Sequence, residues 1–451
     1  MRDPFLLILP LDRFLNKSKI NLLIDKDLPE YIKENIPNAS KEFLNWFVGF
    51  VDAEGCFTIF SNRSWTVAGF RFHIELHVDD IDILHKIAET LGVGRVRIVP
   101  NRNSAEFSVS RFEDIIRVIL PIFNEFPLQT TKCLDFNSFS EAVQIRFLSK
   151  SSGSIKRISE TDLIKIKNLK TNMNSGRLEI NKEQLDYLEK KVSINLWWLL
   201  GFVEGEGTFG YKHLVPYFQL AQHKKNLFVL KAIESFLKEL FSDSSSAIGD
   251  KEFKIDYALN SQTGVYSMTV LKMDTLYNYI VPLFNSMPFY TRKALDFYYW
   301  AISVIIHKYG YYYLPDGKKI ALQISQSTNK YRYTSARSKG DKVEFPSDDS
   351  ISKLFSLPAP FDLTSGLSHF DLVRQFTISK GGRKGFTVYV YDCESGKNKE
   401  LTGSPFSTYG AGHVTIGLLP GSRVIGRYID TGKVYKGKYI FSSIPLSGVE
   451  E

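Results

Sequence analysis

Two short stretches close on the same arrangement of acids. FVGFVDAEG (Phe47 to Gly55) and LLGFVEGEG (Leu199 to Gly207) are otherwise apolar and carry small residues four apart. Gly49 and Ala53 in the first, and Gly201 and Gly205 in the second, fall on one helix face, and small side chains let two helix axes approach closely. If the two helices pack on each other, Glu54 and Glu206 meet at their C-terminal ends. Carboxylates at helix ends that already carry partial negative charge repel, so a cation is expected between them. Oxygen ligands of this kind suit Mg²⁺. Such an ion beside a phosphate can generate a hydroxide and stabilise the leaving oxygen in phosphodiester cleavage. Either stretch alone would also serve as a capped helix with solvated acids; the second copy favours the paired site. Gly55 and Gly207 stand where a left-handed cap would end each helix.

The duplication extends well beyond these helices. LPIFNEFPLQTTKCLDF (Leu120 to Phe136) and VPLFNSMPFYTRKALDF (Val281 to Phe297) align without gaps, with a constant offset of 161 positions that brings Lys132 onto Lys293. FHIELH (Phe72 to His77) matches FQLAQH (Phe218 to His223). Within each half the periodicity reads helix, two strands, helix, two strands, helix. The fold class expected is therefore α+β, with two pseudo-twofold-related αββαββα domains whose antiparallel sheets form a saddle, and a small C-terminal module.

The boundaries that follow are an N-terminal extension over 1–40, a first domain over 41–149 and a charged linker over 150–191. A second domain spans 192–334, a Ser/Pro/Gly-rich tether 335–385 and the C-terminal module 386–445. A net charge of +8, pI near 9.0 and 14% aromatic residues permit a polyanionic partner. Three scattered cysteines without CxxC spacing point to neither a disulfide framework nor structural zinc, and to a reducing compartment. FLLILPL (Phe5 to Leu11) is short, proline-bearing and flanked by Asp3 and Asp12, so neither a signal peptide nor a membrane span is expected.

At these motifs the sequence resembles the two-motif LAGLIDADG homing endonucleases encoded by group I introns of fungal mitochondria. The similarity runs from about Lys41 to Tyr333 and includes SRFEDIIRVI (Ser110 to Ile119) and NKYRY (Asn329 to Tyr333). The resemblance implies a monomeric, metal-dependent endonuclease that makes double-strand breaks in a long non-palindromic DNA target and promotes intron mobility. The alternative it carries is a maturase that binds its host intron RNA and assists splicing. It implies a mitochondrial location, Mg²⁺ or another divalent cation on Glu54 and Glu206, and metal coordination by the carbonyls of Ala53 and Gly205. Lys132 and Lys293 match the basic residue placed near each scissile phosphate; a phosphate clamp or a solvated surface lysine would fit the same residue type. The first acid of each motif, Asp52 or Glu204, is expected to serve helix-end structure rather than chemistry.

A pair of antiparallel sheets can follow a major groove. Candidate DNA-binding residues are Arg63, Arg71, His73, Arg95, Arg97 and Arg102 in the first half, and Lys212, Gln219 and Gln222 in the second. Strand alternation sends about half of such residues away from any one face. Trp65 is expected to pack rather than stack on bases. From about Phe386 to Ser443 the tail resembles NUMOD1, a nuclease-associated DNA-binding module, with a β-hairpin before a helix-turn-helix-like core. This implies Ser422, Arg423 and Arg427 on a recognition helix, with Lys433, Lys436 and Lys438 nearer phosphates. YGAGHVTIGLLPG (Tyr409 to Gly421) is glycine-rich where the first helix would stand.

Overall fold

A computed structural model describes residues 28–151, 158–177, 179–241, 254–328, 344–379, 388–394 and 398–446. The N-terminal apolar run and NKYRY lie outside them. The chain forms two units, divided between Ser365 and Gly366.

The first unit contains the duplication. A short helix α1 (Glu30–Asn35) leads to α2 (Lys41–Glu54), which Ser40 caps by accepting from Phe43 N at 3.1 Å. Then come β1 (Gly55–Phe60), β2 (Gly69–His77), α3 (Ile81–Leu91), β3 (Arg95–Val99) and β4 (Ser104–Val109). A helical run α4 (Phe112–Asp114, Ile115–Ile119, Leu120–Glu125) contains a π turn just before Pro121, which has no N–H to give to the regular ladder. Helix α5 (Lys132–Ser151) completes the half.

The linker carries α6 (Glu160–Thr171) and α7 (Lys182–Lys191). The second half repeats the pattern: α8 (Leu196–Glu206), β5 (Gly207–Lys212), β6 (Val215–His223), α9 (Leu227–Phe241), β7 (Asp256–Asn260) and β8 (Val265–Val270). Then follow α10 (Met273–Thr275, Leu276–Ile280, Val281–Asn285), with its own π turn before Pro282, α11 (Lys293–Lys308) and α12 (Pro315–Ser327). The two sheets are antiparallel with equivalent orders, β1-β2-β4-β3 and β5-β6-β8-β7. Behind each lies an aromatic core: Phe57, Phe72, Phe123 and Phe136 in one half, Phe209, Phe218, Phe284 and Phe297 in the other. No helix among the described residues is long and apolar enough to cross a membrane.

Helices α2 and α8 pack through the small-residue stripe. A Cβ on Gly49 would lie 2.0 Å from Trp198 O, and one on Gly201 2.0 Å from Trp46 O. The glycines that follow the helices act differently from the left-handed caps expected. Gly55 has φ −77° and ψ 155°, and Gly207 has φ −73° and ψ 146°. Each helix passes straight into an extended strand, and glycine is needed because a Cβ would strike Val51 or Val203 of the preceding turn.

The linker is fastened to its surroundings. Ile166, Met173 and Leu188 are buried. Asn174 donates through its backbone to Asp135 and through its side chain to Phe57 O on the edge of β1, and Arg177 pairs with Asp135 at 3.2 Å. Lys167 and Lys170 sit over the Trp65 ring, which is therefore packed against the linker. The segment expected as a tether is folded over 344–365: α13 (Asp348–Phe355) buries Ile351 and Leu354, Phe345 stacks on Tyr299 and Phe361 covers Gly310.

The second unit begins with α14 (His369–Ser379) and has β9 (Tyr389–Asp392), β10 (Lys399–Glu400) and β11 (Tyr439–Ser442) in the order β10-β9-β11. Two short helices, α15 (Tyr409–Thr415) and α16 (Val424–Tyr428), pack over Val388, Val390 and Phe441. The glycine-rich stretch does form a helix. Thr408 caps it, and Gly412 is the contact point, since a Cβ there would lie 2.9 Å from Ile425 Cδ1. Buried His413 accepts from Ile425 N through Nε2 at 3.0 Å, which fixes the start of α16.

Candidate active site

Glu54 and Glu206 are the last residues of α2 and α8. A Cβ on Gly205 would lie 2.2 Å from the Ala53 Cβ and 3.4 Å from Glu54 Oε1, so the paired helix ends bring the acids to one place. They line an open cleft of about 690 Å³ together with Asp80, Thr208, Lys293 and Asp296. Burial raises the pKa of the Glu54 carboxyl, against the pull of Lys293 and Lys132. Burial and then the Glu54 charge raise that of Glu206.

The two lysines occupy the C-terminal turns of these helices. Lys132 Nζ donates to Val51 O at 2.8 Å, to Ala53 O at 3.5 Å and to Gly55 O. Lys293 Nζ donates to Val203 O at 3.1 Å, to Gly205 O at 3.2 Å and to Gly207 O at 2.6 Å. They are half-buried cations at the negative ends of two helix dipoles, held by backbone carbonyls, not solvated surface lysines. Burial lowers both pKa values, and the surrounding acids oppose it.

Asp52 and Glu204 do the structural work expected of them. Asp52 accepts from Gln129 N, Thr130 N, Thr130 Oγ1 and Trp198 Nε1. Glu204 accepts from Tyr290 N, Thr291 N and Trp46 Nε1. Thr130 Oγ1 and Thr291 Oγ1 in turn accept from Lys132 N and Lys293 N, each at 3.2 Å. The first acid of each motif thus fixes the segment that delivers the lysine.

The donor set fits a divalent cation with oxygen ligands. Among the described residues no group of three or more His, Cys, Asp or Glu side chains could hold a metal ion. An ion on Glu54 and Glu206 must draw further oxygens from carbonyls, water or phosphate, which is how Mg²⁺ is usually held. The Ala53 and Gly205 carbonyls already accept from lysine, and each retains a second lone pair.

The sheet faces opposite the core carry many of the polar residues singled out. Arg71, His73, Arg95 and Arg97 project there, with Thr58 and Ser108 beside them in register. Glu106 lies among them, 3% exposed, 3.7 Å from Arg71 and 3.2 Å from Arg97. Burial and Arg71 lower the His73 pKa, which favours the neutral ring. Arg63 is exposed in the β1–β2 connection, and Arg102, in the β3–β4 turn, pairs with Glu75 at 3.3 Å. In the second sheet Gln219 lies on the open face beside Thr208, and Lys212 is exposed at the end of β5.

Gln222 is a correction. It falls on the alternation of the core positions Phe218 and Leu220, is 9% exposed, and accepts from Asn226 Nδ2 through Oε1 at 2.8 Å instead of facing outward. In the second unit Arg423, Arg427 and Lys436 are exposed, whereas Lys438 is held by Glu394 and Asp392.

Sequence reasoning missed Trp46, Trp198, Glu106 and the Gln222–Asn226 pair. The tryptophans carried a signal, because each stands eight residues before its glutamate in both copies. Glu106 carried none, since a single acid in a strand resembles any solvated position.

The LAGLIDADG endonuclease family model matches residues 47–143 and again 199–304. The chain is 26% identical over 441 residues, 94% of its own length and 86% of the relative's, to a Saccharomyces cerevisiae protein named "Uncharacterized mitochondrial protein RF1". It is 25% identical over 268 residues to the Neurospora crassa "Probable intron-encoded endonuclease 3", and 30% identical over 173 residues to the Schizosaccharomyces pombe "Probable intron-encoded endonuclease Cox1-I1b". The matches cover 56% and 37% of this chain, and 48% and 41% of those two proteins. Among solved structures, I-SmaMI bound to an uncleaved DNA target with calcium superposes with a TM-score of 0.52 at 20% identity, over 64% of this chain and 99% of that one. I-LtrWI bound to target DNA superposes at 0.51 with 22% identity, over 64% and 99%. Two LAGLIDADG endonuclease domains stand in tandem in this one chain, homologous to those of intron-encoded endonucleases.

Proposed function

We propose that the chain is a site-specific homing endonuclease that makes metal-dependent double-strand breaks in a long DNA target and thereby promotes mobility of a mitochondrial group I intron. The observation that carries this reading is the meeting of Glu54 and Glu206 at the ends of two packed helices, between two sheets with polar open faces. The chain works as a monomer, because both acids and both sheets come from one polypeptide. Its two faces carry different side chains, so the target is non-palindromic. The cation supplies an acidified water and charge neutralisation at the scissile phosphate.

The rest is the work of the chain's own residues. Glu54 and Glu206, with the carbonyls of Ala53 and Gly205, hold the ion. Lys132 and Lys293 keep the helix ends in place and present positive charge towards the phosphates. Arginines and Gln219 on the open faces meet base edges and backbone in the major groove. The second unit acts as a NUMOD1-like DNA-binding module, with α16 and its Arg423 and Arg427 towards the duplex and Lys436 near a phosphate.

The test is a cleavage selection from a randomised duplex library with Mg²⁺, followed by Glu54→Gln and Glu206→Gln on the recovered site. The reading predicts one long site, cut on both strands, with cleavage abolished and binding retained in each variant. Recovery of no cleaved duplex, with selective binding and assisted splicing of a group I intron RNA, would replace it with the maturase reading.

A further inference from the structure

The two halves differ in how their first two strands are joined. Residues 213–214 make a tight link between β5 and β6, whereas residues 61–68 join β1 to β2 in a longer loop that carries Arg63 and Trp65. Trp65 has φ 52°, a left-handed backbone that a bulky side chain adopts only where its surroundings compel it. A stapled turn does so here. Trp65 N donates to Asn62 O at 3.1 Å, Thr66 N to Asn62 Oδ1 at 2.9 Å and Asn62 Nδ2 to Thr66 Oγ1 at 2.7 Å.

The turn holds the indole against the linker. Helix α6 runs beside β1, an edge strand: Asn174, just past the helix end, donates to Phe57 O at 2.9 Å and accepts from Cys56 Sγ at 3.9 Å on the open face. From there the helix follows the strand to its far end, where Lys170 and Lys167 lie 5.2 and 5.6 Å from the centre of the Trp65 ring. Residues three apart share one helix face, so two ammonium groups converge on one indole. Among the described residues neither lysine, nor exposed Arg63, has a carboxylate partner. Lys165 on the same helix does, pairing with Asp162 at 3.9 Å. Arg71, Arg97 and Arg102 on the sheet pair with Glu106 or Glu75. Exposed cations at one margin of the open face, set by a rigid turn and left without acids, match a run of phosphates.

We infer that α6 and the β1–β2 loop form a phosphate rail that grips the duplex backbone outside the bases the first sheet reads, on one arm of the target only. This rests on the endonuclease reading. The experiment measures affinity in Ca²⁺ for the selected duplex and for a random one, from about 50 to 200 mM salt, and maps phosphate contacts by ethylation interference. Lys167→Gln with Lys170→Gln should flatten the slope of log affinity against log salt by about two, so that the affinity lost over this range shrinks about tenfold. Both duplexes should weaken by the same factor, because phosphate contacts carry no sequence. The interference signals lost should lie on one side of the cut. Lys167→Arg with Lys170→Arg should keep slope and affinity. An unchanged slope, weaker binding of the selected duplex alone, or weaker binding of a group I intron RNA with the duplex unaffected overturns the inference and leaves the endonuclease intact. Should the glutamine variant not fold, Arg63→Gln decides the question: the slope should fall by about one, and an unchanged slope overturns the rail. A wild-type chain that binds no duplex selectively and cuts neither strand overturns the endonuclease reading itself.

Discussion

Trp46 Nε1 donates to Glu204 Oε1 at 2.9 Å, from a helix of one half to the buried acid of the other. Trp198 Nε1 does the same for Asp52 at 2.8 Å. The indoles therefore join the halves and complete the shells of acids that fix the lysine segments. Trp46→Phe keeps the aromatic packing and removes one donor to a buried carboxylate, for an expected loss of about 1–3 kcal/mol. Asp52→Leu should cost more, because it leaves Gln129 N, Thr130 N and the Trp198 indole without their acceptor. Urea unfolding of the three proteins ranks them; an Asp52→Leu variant as stable as wild type would refute the shell.

Gly201 meets the backbone of the opposite helix, since its Cβ would lie 2.0 Å from Trp46 O and 2.8 Å from Phe50 N. Backbone cannot rotate aside as a side chain can. Gly201→Ala must push the two helices apart, moving Glu206 away from Glu54 as it does so, at a cost of about 3 kcal/mol or more. Loss of soluble protein, or a large fall in unfolding midpoint together with loss of cleavage, is the expected result. Gly92→Ala is a useful contrast, because nothing lies within 4 Å of that position and only its left-handed φ of 66° is strained.

Those glycines also show how far the sequence can be read. Gly49 and Gly201 sit at helical spacing with small partners, and the repeat doubles the signal, so close helix packing and the meeting of Glu54 with Glu206 are legible. Gly55 and Gly207 read locally as left-handed caps because helix endings are usually chain reversals. Here the chain runs on into β1 and β5, a tertiary fact with no local signature. Gln222 looks like a strand-face residue, yet period-two alternation has no phase until one knows which side the helices cover. Glu106 is invisible for a related reason: its meaning comes from Arg71 and Arg97 on two other strands.

The raised pKa values of Glu54 and Glu206 give a pH dependence with a definite sign. Each folded carboxyl holds its proton more tightly than in the unfolded chain. Their contribution to stability is therefore fully present below the ordinary glutamate value, and is lost as pH rises through the raised folded values. A cation that requires the ionised pair reverses this loss. Mg²⁺ should therefore raise the melting temperature more at neutral pH than near pH 5, and the Mg²⁺ concentration for half-maximal cleavage should climb on acidification. A Mg²⁺-induced shift of equal size at both pH values would count against the paired site.

Arg423, at the N-cap of α16, and Arg427, within it, are both exposed on the segment of the second unit proposed to face DNA. Each phosphate contact contributes about 0.9 to the slope of log affinity against log salt. Arg423→Ala with Arg427→Ala should flatten that slope by about one to two and weaken binding, while the cleavage rate at saturating enzyme stays close to wild type. An unchanged slope and affinity would remove this helix from the interface.

Glu106 bears on specificity rather than affinity. It is buried on the open face between Arg71 and Arg97, and holds two long side chains that would otherwise sample many rotamers. A guanidinium reads guanine through paired hydrogen bonds, which demand a fixed plane. Its carboxylate also opposes the pull of phosphate on both arginines. Glu106→Gln removes a negative charge and loosens that plane, so affinity for random duplex should rise while discrimination at the base pairs these arginines meet should fall. Competition binding of the selected site against single-base variants measures both. If discrimination were kept while random-duplex affinity rose, Glu106 would be only a charge balance, and Arg71 and Arg97 would be backbone contacts.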